Sequence, residues 1–188
     1  MATFNATITA GSDDAREDAG TVTLTGTNIT IDTTTRYGGL RFLGVTVPQG
    51  STINAATLTI ELPSASFDDP DVTIWANDVD SASTFTTGAN NISSRTPTTA
   101  TVVWSASSIG TGVKVSPELK TIIQEIVNRA GWVSGNAIAL ILKGNSTSAL
   151  RFDTYEDGAG ANAELDIDYT APAAGVPKHA MYYARMRG

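Results

Sequence analysis

The sequence contains no cysteine and a single histidine, His179, close to its last residue. Without cysteine there is no disulfide and no thiolate metal ligand. Without a histidine in the body of the chain, neither a Ser–His–Asp or Cys–His arrangement nor a histidine metal cluster is available there. No glycine-rich phosphate loop is present either. These absences predict a protein that is not an enzyme and that uses no metal ion and no cofactor.

Charged residues are also scarce, at 16% of the 188 residues, and 19 acidic residues outnumber 12 basic ones to give a net charge of −7. A negative net charge argues against nucleic acid or an anionic membrane as the main partner. The first five residues have neither the basic start nor the apolar core of a signal peptide, and no apolar run reaches membrane-spanning length. We therefore expect a protein made in a cytoplasm, with no nucleic-acid or membrane partner.

The clearest pattern that is present is an amphipathic helix at about residues 116–130. Ser116 is predicted to cap its N-terminus, and Pro117 suits the first helical position because a proline has no N–H to lose there. Gly131 stands where a helix C-terminal glycine is common. These signals predict both ends of the helix.

The two faces of this helix differ in polarity. Leu119, Ile122 and Ile126 recur at helical spacing, and we expect this face to pack on the rest of the domain. Glu125 and Arg129 lie four residues apart on the polar face, in the order that favours an exposed ion pair. The helix is thus predicted to lie on the surface of a larger apolar core.

Most of the remaining chain consists of short alternating runs separated by turns. Residues 137–142 form a continuous apolar run typical of a buried strand, and residues 21–25 and 28–32 suggest a hairpin. Residues 78–98 form a long polar loop. The pattern predicts a mainly β fold for residues 1–170, a jelly-roll-like antiparallel β-sandwich with one amphipathic helix.

Carboxylates occur in two dense groups, and a paired-carboxylate glycosidase is compatible with such an inventory. The groups are Asp13, Asp14 and Glu17, and Asp68, Asp69 and Asp71. Solvated loop charge is the simpler interpretation of both. The acidic stretch 153–164 partly fits an EF-hand spacing, but Tyr155 stands at a ligand position and the flanks have strand patterns, so we reject that motif.

Three tryptophans are candidates for a sugar-stacking platform. Trp75, Trp104 and Trp132 each lie within or beside an apolar run, and core packing is the favoured interpretation for at least two of them.

After residue 170 the composition changes. Residues 171–177 are small residues and prolines typical of a linker, and residues 178–188 combine basic, aromatic and methionine side chains without any acidic residue. This charge reversal suggests either a frayed terminus or a contact arm. The predicted partner-binding residues of the arm are Lys178, His179, Met181, Tyr182, Tyr183, Arg185 and Arg187.

Six blocks of the sequence resemble one known type of module. They are residues 12–15 (SDDA), 39–42 (GLRF), 47–53 (VPQGSTI), 94–99 (SRTPTT), 124–132 (QEIVNRAGW) and 165–169 (LDIDY). Together they are similar to the DNRLRE-type, carbohydrate-binding-module-like β-sandwich modules, over most of residues 5–170. Such modules occur as repeats in secreted bacterial and archaeal proteins and as parts of phage structural proteins. The resemblance implies the fold and an adhesive, sugar-binding or structural role, and it carries over no catalytic residue.

A lone module with a short basic and aromatic arm most resembles a phage capsid decoration (cement) protein. That reading implies a virion location, with the major capsid protein and sister copies as partners and a homo-oligomer, a trimer being favoured. The alternative is a carbohydrate-binding or host-adhesion module of a tail or fibre, with a surface glycan as its ligand. An enzyme that uses paired carboxylates is the least favoured reading.

Overall fold

The computed structural model describes residues 1–63, 67–158 and 162–173. Strand makes up 43% and helix 7%, so the fold is mainly β, as predicted. The strands are β1 (Ala2–Thr7), β2 (Asp14–Asp18), β3 (Thr21–Thr23), β4 (Asn28–Ile31), β5 (Arg36–Phe42), β6 (Thr52–Leu62), β7 (Asp71–Ala76), β8 (Val102–Ser105), β9 (Gly112–Val115), β10 (Ile138–Gly144), β11 (Leu150–Asp153) and β12 (Glu164–Thr170). Helix α1 is Lys120–Val127, and a 3₁₀ turn covers Tyr155–Asp157.

The strands form three sheets, and every strand pairing in the described ranges is antiparallel. The four-stranded sheet has the order β1-β12-β6-β9, and the six-stranded sheet has the order β3-β2-β5-β10-β7-β8. A two-stranded sheet pairs β11 with β4. The main apolar core draws its side chains from all three sheets and from α1. This arrangement confirms the predicted antiparallel β-sandwich with one helix.

Strand β10 lies in the middle of the six-stranded sheet, between β5 and β7. Its residues Ile138, Leu140 and Leu142 belong to the main core, whereas Ala139 and Ile141 belong to a second apolar cluster. Because successive strand residues point to opposite faces, the six-stranded sheet is buried on both sides. We call the side in the main core the inner face and the other side the outer face. Burial on both faces explains why the strand is a continuous apolar run.

Helix α1 packs against β6 of the four-stranded sheet and β7 of the six-stranded sheet. The predicted apolar face is confirmed, since Leu119, Ile122 and Ile126 are at most 1% exposed and belong to the main core. The helix therefore bridges the two sheets. It is shorter than the predicted 116–130 span.

The predicted N-cap is wrong. The Ser116 hydroxyl accepts the N–H of Leu58 at 3.0 Å, so it serves strand β6 and not the helix. At the start of the helix, the Glu118 carboxylate accepts the N–H of Lys120 at 3.0 Å and the N–H of Ala56 at 2.7 Å. The Ser116 side chain, which the local pattern assigned to the helix cap, is therefore hydrogen-bonded to a distant strand.

Gly131, which was predicted to end the helix, also has a different role. The helix ends at Asn128, and Gly131 lies so close to Asp80 that a Cβ atom there would be 2.0 Å from the Asp80 Oδ2 atom. The missing side chain leaves room for the Asp80 carboxylate, which binds Arg129 together with Asp78. Gly131 therefore makes space for an ion-pair cluster between the helix end and the segment that follows β7.

Glu125 and Arg129 do not form the predicted ion pair with each other. The Glu125 carboxylate accepts the N–H groups of Thr99 and Ala100 at 2.7 and 2.8 Å. Arg129 is engaged by the aspartates described above. Both side chains instead bind groups in the segment between β7 and β8.

The predicted hairpin between residues 21–25 and 28–32 does not form. Strand β3 pairs with β2, and β4 pairs with β11, so the two runs lie in different sheets. The connection is held by Thr154, whose hydroxyl donates to the Gly26 carbonyl at 2.6 Å and whose N–H donates to the Thr27 carbonyl. Gly26 and Thr27 thus form a crossover between sheets and not a tight turn.

Candidate functional site

The predicted contact arm falls outside the described residues. This applies to the partner-binding residues Lys178, His179, Met181, Tyr182, Tyr183, Arg185 and Arg187. The last described strand ends at Thr170, and residues 171–173 have no regular secondary structure. The arm and the division of the chain at residue 170 therefore stay predictions.

The first group of carboxylates is buried, which overturns the interpretation of solvated loop charge. Asp13, Asp14 and Glu17 are 3%, 3% and 1% exposed. They lie on or next to β2, which is hydrogen-bonded to β3 on one side and to β5 on the other. Buried carboxylates need hydrogen bonds or opposite charges, so each of them must serve a defined contact.

Glu17 holds the segment between β7 and β8 against the outer face. Its Oε2 atom accepts the N–H groups of Ile92 and Ser93, both at 2.9 Å. Two backbone donors on one carboxylate oxygen form a charge-assisted contact that fixes the backbone at that point. Glu17 is therefore an anchor for the segment that covers the sheet.

Two arginines also fix this segment, Arg41 from the sheet and Arg95 from within the segment itself. The Arg41 guanidinium pairs with Asp13 at 2.5 Å and donates from Nε to the Ala82 carbonyl at 2.8 Å. Arg95 lies over the Phe85 ring, 4.3 Å from its centroid, and donates to neighbouring backbone carbonyls. Burial, followed by the charge of Arg41, lowers the pKa of Arg95. The polar loop predicted for residues 78–98 is thus an ordered cover.

The cover also contributes apolar side chains to the outer cluster. Phe85 is 1% exposed and Ile92 is fully buried, and they join Trp75 and Ile141 there. Gly39 permits the contact, since a Cβ atom at that position would be 2.5 Å from the Phe85 ring. The only local signal for this role was a few apolar residues in an otherwise polar stretch, opposite a strand that is apolar on both faces.

Asp14 lies on the inner side of β2 and faces the 3₁₀ turn. Its Oδ2 atom accepts the Tyr155 N–H at 2.7 Å, whereas its Oδ1 atom is buried and, among the described residues, can be partnered only by sharing a proton with the Glu156 carboxylate. Burial raises the pKa of Asp14 to about 7, the Tyr155 N–H opposes the rise, and the nearby carboxylates of Glu156 and Asp13 add to it. Asp14 is the most perturbed carboxylate of the described domain.

The second group of carboxylates shapes a connection between the sheets. Asp68 is 7% exposed, and its Oδ2 atom accepts the Gly110 N–H at 2.7 Å. Asp69 accepts the Ser108 N–H at 2.5 Å, and Asp71 accepts a side-chain N–H of Asn145. The solvated-charge interpretation is therefore wrong for Asp68. Asp68 and Asp69 hold the link from β8 to β9, and Asp71 contacts the turn after β10.

The three tryptophans are buried, which confirms the core interpretation. Trp75, Trp104 and Trp132 are 8%, 5% and 2% exposed, and the Trp132 indole donates to the Val47 carbonyl at 2.9 Å. Aromatic rings that stack on a sugar must be accessible to it, so these three rings do not form a sugar-stacking platform. Among the described residues, Tyr155 is the one aromatic side chain that ranks as exposed, at 44%.

Exposed valines lie on the two strands at the ends of the sheets. Val113 and Val115 of β9 are 61% and 56% exposed, and Val103 of β8 is 56% exposed. In the described part of the chain, β9 ends the four-stranded sheet and β8 ends the six-stranded sheet. The link 106–111 joins these strands. Val113 and Val115 lie opposite Glu61 and Thr59 of β6, and Val103 lies opposite Thr73 of β7, so the valines point away from the main core. We call Val103, Val113 and Val115 the valine edge.

Other kinds of site are absent from residues 1–63, 67–158 and 162–173. No three histidine, cysteine, aspartate or glutamate side chains cluster there in a way that could hold a metal ion. None of the helices in these ranges is both long and apolar enough to cross a membrane.

No family model and no curated protein matches this chain. The resemblance to DNRLRE-type modules thus stays a prediction from the sequence blocks. The structure itself establishes a mainly β domain of antiparallel sheets with one helix.

Proposed function

We propose that this protein is a structural virion component, a decoration (cement) protein that binds the outer surface of a phage head and stabilises it. The observation that carries the proposal is the valine edge, a set of exposed apolar side chains on the end strands of a sandwich. The resemblance to modules found in phage structural proteins supports it. The proposal makes the protein a binding module and not an enzyme.

Part of the sheet surface is already buried within the domain. Both faces of the six-stranded sheet are buried. The end strands β8 and β9 are surfaces from which the fold can pair with another chain. An end strand offers backbone N–H and C=O groups, and side chains on alternate residues contribute specificity. Val113 and Val115 alternate along β9 in this way. The valine edge therefore suits contact with a sister copy in a homo-oligomer, as in the favoured trimer.

The attachment to the head is assigned to the arm of residues 178–188. The body of the chain is acidic and the arm has no acidic residue, so its basic and aromatic side chains complement an acidic surface of the major capsid protein. Many copies on one head bind with avidity, so each contact can be weak. Charge contacts at the surface are screened within about 8–10 Å at ordinary ionic strength, so attachment should weaken with added salt.

Deletion of residues 176–188 tests the attachment. We expect the truncated protein to keep the melting temperature of the full chain, because the core lies within residues 1–170. It should bind weakly to phage heads stripped of decoration, measured by co-sedimentation beside full-length protein. Equal binding by both forms would contradict an attachment arm and move attachment to the sandwich.

The valine edge is tested separately by a Val113→Thr and Val115→Thr double variant. Threonine keeps the shape of valine but has a hydroxyl in place of one methyl group, so the fold should survive while an apolar interface weakens. We expect a lower oligomeric state by analytical ultracentrifugation. The matched control is Val133→Thr, because Val133 is equally exposed, at 62%, but lies away from both end strands. A monomeric wild type, or equal effects of both changes, would remove the edge from the proposal.

The alternative of a carbohydrate-binding or host-adhesion module rests on the resemblance alone, since the tryptophans are in the core. A glycan array on purified protein separates it from the decoration proposal. Saturable binding to one glycan class, without binding to heads, would favour the alternative.

A further inference from the structure

The side of the four-stranded sheet that faces away from the main core carries a row of carboxylates on β12. Every second residue of β12 is buried in that core, and the residues between them are Glu164, Asp166 and Asp168, which are partly exposed. Residues two apart on a strand lie about 7 Å from each other, within the screening distance of about 8–10 Å at ordinary ionic strength. The three carboxylates therefore repel one another. We call them the acidic row.

No positive charge balances the acidic row within the described part of the chain. The residues opposite it on β1 and β6 are all uncharged: Thr3, Asn5, Thr7, Ala55, Thr57 and Thr59. Lys114 of β9 lies opposite the buried Ile60, so it points to the other side of the sheet. None of the ion pairs in the described ranges involves a residue of the row. The row is thus a strip of uncompensated negative charge on an exposed sheet face.

The spacing of the row suits a basic peptide segment. Alternate side chains of an extended chain repeat at the same distance of about 7 Å, so two cationic residues two apart can each face one carboxylate of the row. The arm of residues 178–188 has this pattern in Arg185 and Arg187. Arginine is also the side chain that binds a carboxylate with two parallel hydrogen bonds. Charge and spacing therefore both match the arm to the row.

The position of the arm along the chain favours the same contact. Strand β12 ends at Thr170, so the arm follows the strand that carries the row, after the linker 171–177. Seven extended residues reach about 25 Å, whereas the row from Glu164 to Asp168 is about 13 Å long. The linker is therefore long enough for the arm to turn back over its own sheet. A short tether gives an effective concentration in the millimolar range, so a weak contact suffices.

We propose that the arm of residues 178–188 binds the acidic row of its own domain, with Arg185 and Arg187 facing carboxylates of β12. Exposed ion pairs contribute little to the free energy of unfolding, so the contact leaves the melting temperature nearly unchanged. An acidic surface of a phage head competes with the row for the same arginines. The contact therefore holds the arm back in free protein, a consequence that rests on the proposed function, whereas the contact itself does not.

The contact is tested in full-length protein by paramagnetic relaxation in NMR. The chain has no cysteine, so Ala184→Cys provides a single attachment point for a spin label, and in an extended arm this position points away from the side of Arg185 and Arg187. At low salt we expect broadened amide signals at residues 164–168 and unchanged signals in the segment 78–98 beyond the other sheet. In about 1 M salt, where screening acts within about 3 Å, the broadening should disappear.

Variants on both sides of the contact make the test specific. Arg185→Gln with Arg187→Gln should abolish the broadening, and this change leaves every described residue intact, so it does not depend on the stability of the domain. Asp166→Asn with Asp168→Asn should weaken the broadening, because an amide keeps the shape but removes the charge. The matched control is Asp71→Asn with Asp157→Asn, which removes the same charge outside the row and should keep the broadening.

Three results would overturn the proposal. They are an absence of broadening at residues 164–168 in the wild type, equal broadening in the arginine variant, and broadening that passes from spin-labelled chains to separate ¹⁵N-labelled chains in a mixture. The last result would assign the contact to a sister copy.

Head binding is measured separately. The Asp166→Asn and Asp168→Asn variant should co-sediment with stripped heads more strongly than the wild type, because its arm is released. Since the NMR measurement uses no heads, a failed contact and a failed proposed function give different results.

Discussion

The two faces of the six-stranded sheet are covered by different kinds of structure. On the inner face, strands of the other sheets and helix α1 supply a continuous apolar layer. On the outer face, the segment between β7 and β8 has no strand or helix, and only a few of its side chains are apolar. Glu17, Arg41 and Arg95 hold that segment through its backbone.

The difference shows two ways to bury a strand. Regular elements bury it by repeated apolar contacts, which sum over many residues and need no individual anchor. An irregular cover has backbone groups that are not satisfied by a ladder, so charged side chains must bind them, here from the sheet (Glu17, Arg41) and from the cover itself (Arg95). Single changes on the inner face should therefore act through packing. Changes on the outer face should act through the charged side chains that bind the cover and through the few buried apolar residues of the cover.

The largest effect is expected from Ile126→Asp on the helix. Ile126 is 1% exposed in the main core, and an unpaired charge there should cost several kcal/mol of the free energy of unfolding. Ile126→Val is the control, at a cost of about 1 kcal/mol. Thermal and denaturant unfolding measure both. An unchanged melting temperature for Ile126→Asp would show that the helix is not packed between the sheets.

Phe85→Ala removes the aromatic ring that packs on the outer face. It should lower the free energy of unfolding by about 3 kcal/mol, the low end for a buried phenylalanine. The irregular cover can partly close onto Gly39, which limits the cavity. Phe42→Ala on the inner face is the matched comparison, because Phe42 is fully buried among regular elements. It should cost more. A larger loss for Phe85→Ala would break the distinction between the two faces.

Stability should also depend on pH through Asp14. The folded pKa of about 7 lies above its ordinary value of 3.8, so the folded state binds a proton that the unfolded state has released. The resulting stability is complete below about pH 4 and is lost as the pH rises through 7. The loss between about pH 5 and 8 is on the order of 2 kcal/mol. Asp14→Asn should flatten this part of the curve, measured by denaturant unfolding at each pH.

The smallest of these effects is expected from Glu17→Gln. The amide oxygen can accept the same two hydrogen bonds from Ile92 and Ser93, but they are no longer charge-assisted, so we expect a cost of about 1–2 kcal/mol. Hydrogen exchange should quicken in the cover and change little in the inner-face strands. Uniformly faster exchange across both faces would show that the cover does not open as a separate unit.

Local pattern anticipated several elements. The spacing of Leu119, Ile122 and Ile126 predicted the packed face of the helix, and the run at 137–142 predicted a central buried strand. These predictions succeed because the apolar side chains that face one core recur with the period of the element that carries them. The burial of the tryptophans followed from their apolar surroundings in the same way.

The polar contacts did not follow from local pattern. Ser116, Glu125 and Gly131 each had a plausible local role, and each instead contacts a residue far away in the chain. The run at 28–32 pairs with β11, more than a hundred residues later, and not with its neighbour. Polar side chains have several partners of similar energy nearby, and the partner chosen depends on which segments the fold brings together.

The sequence by itself determined a mainly β chain with one amphipathic helix, because hydrophobic periodicity is a local property of the residues. Only the tertiary structure decided that Asp13, Asp14 and Glu17 are buried anchors, since nothing local distinguishes them from solvated loop acids. Their burial depends on residues 78–99 folding over the outer face and on the 3₁₀ turn at Tyr155–Asp157 reaching β2. A carboxylate becomes a structural or binding group only when distant backbone donors and other carboxylates meet it.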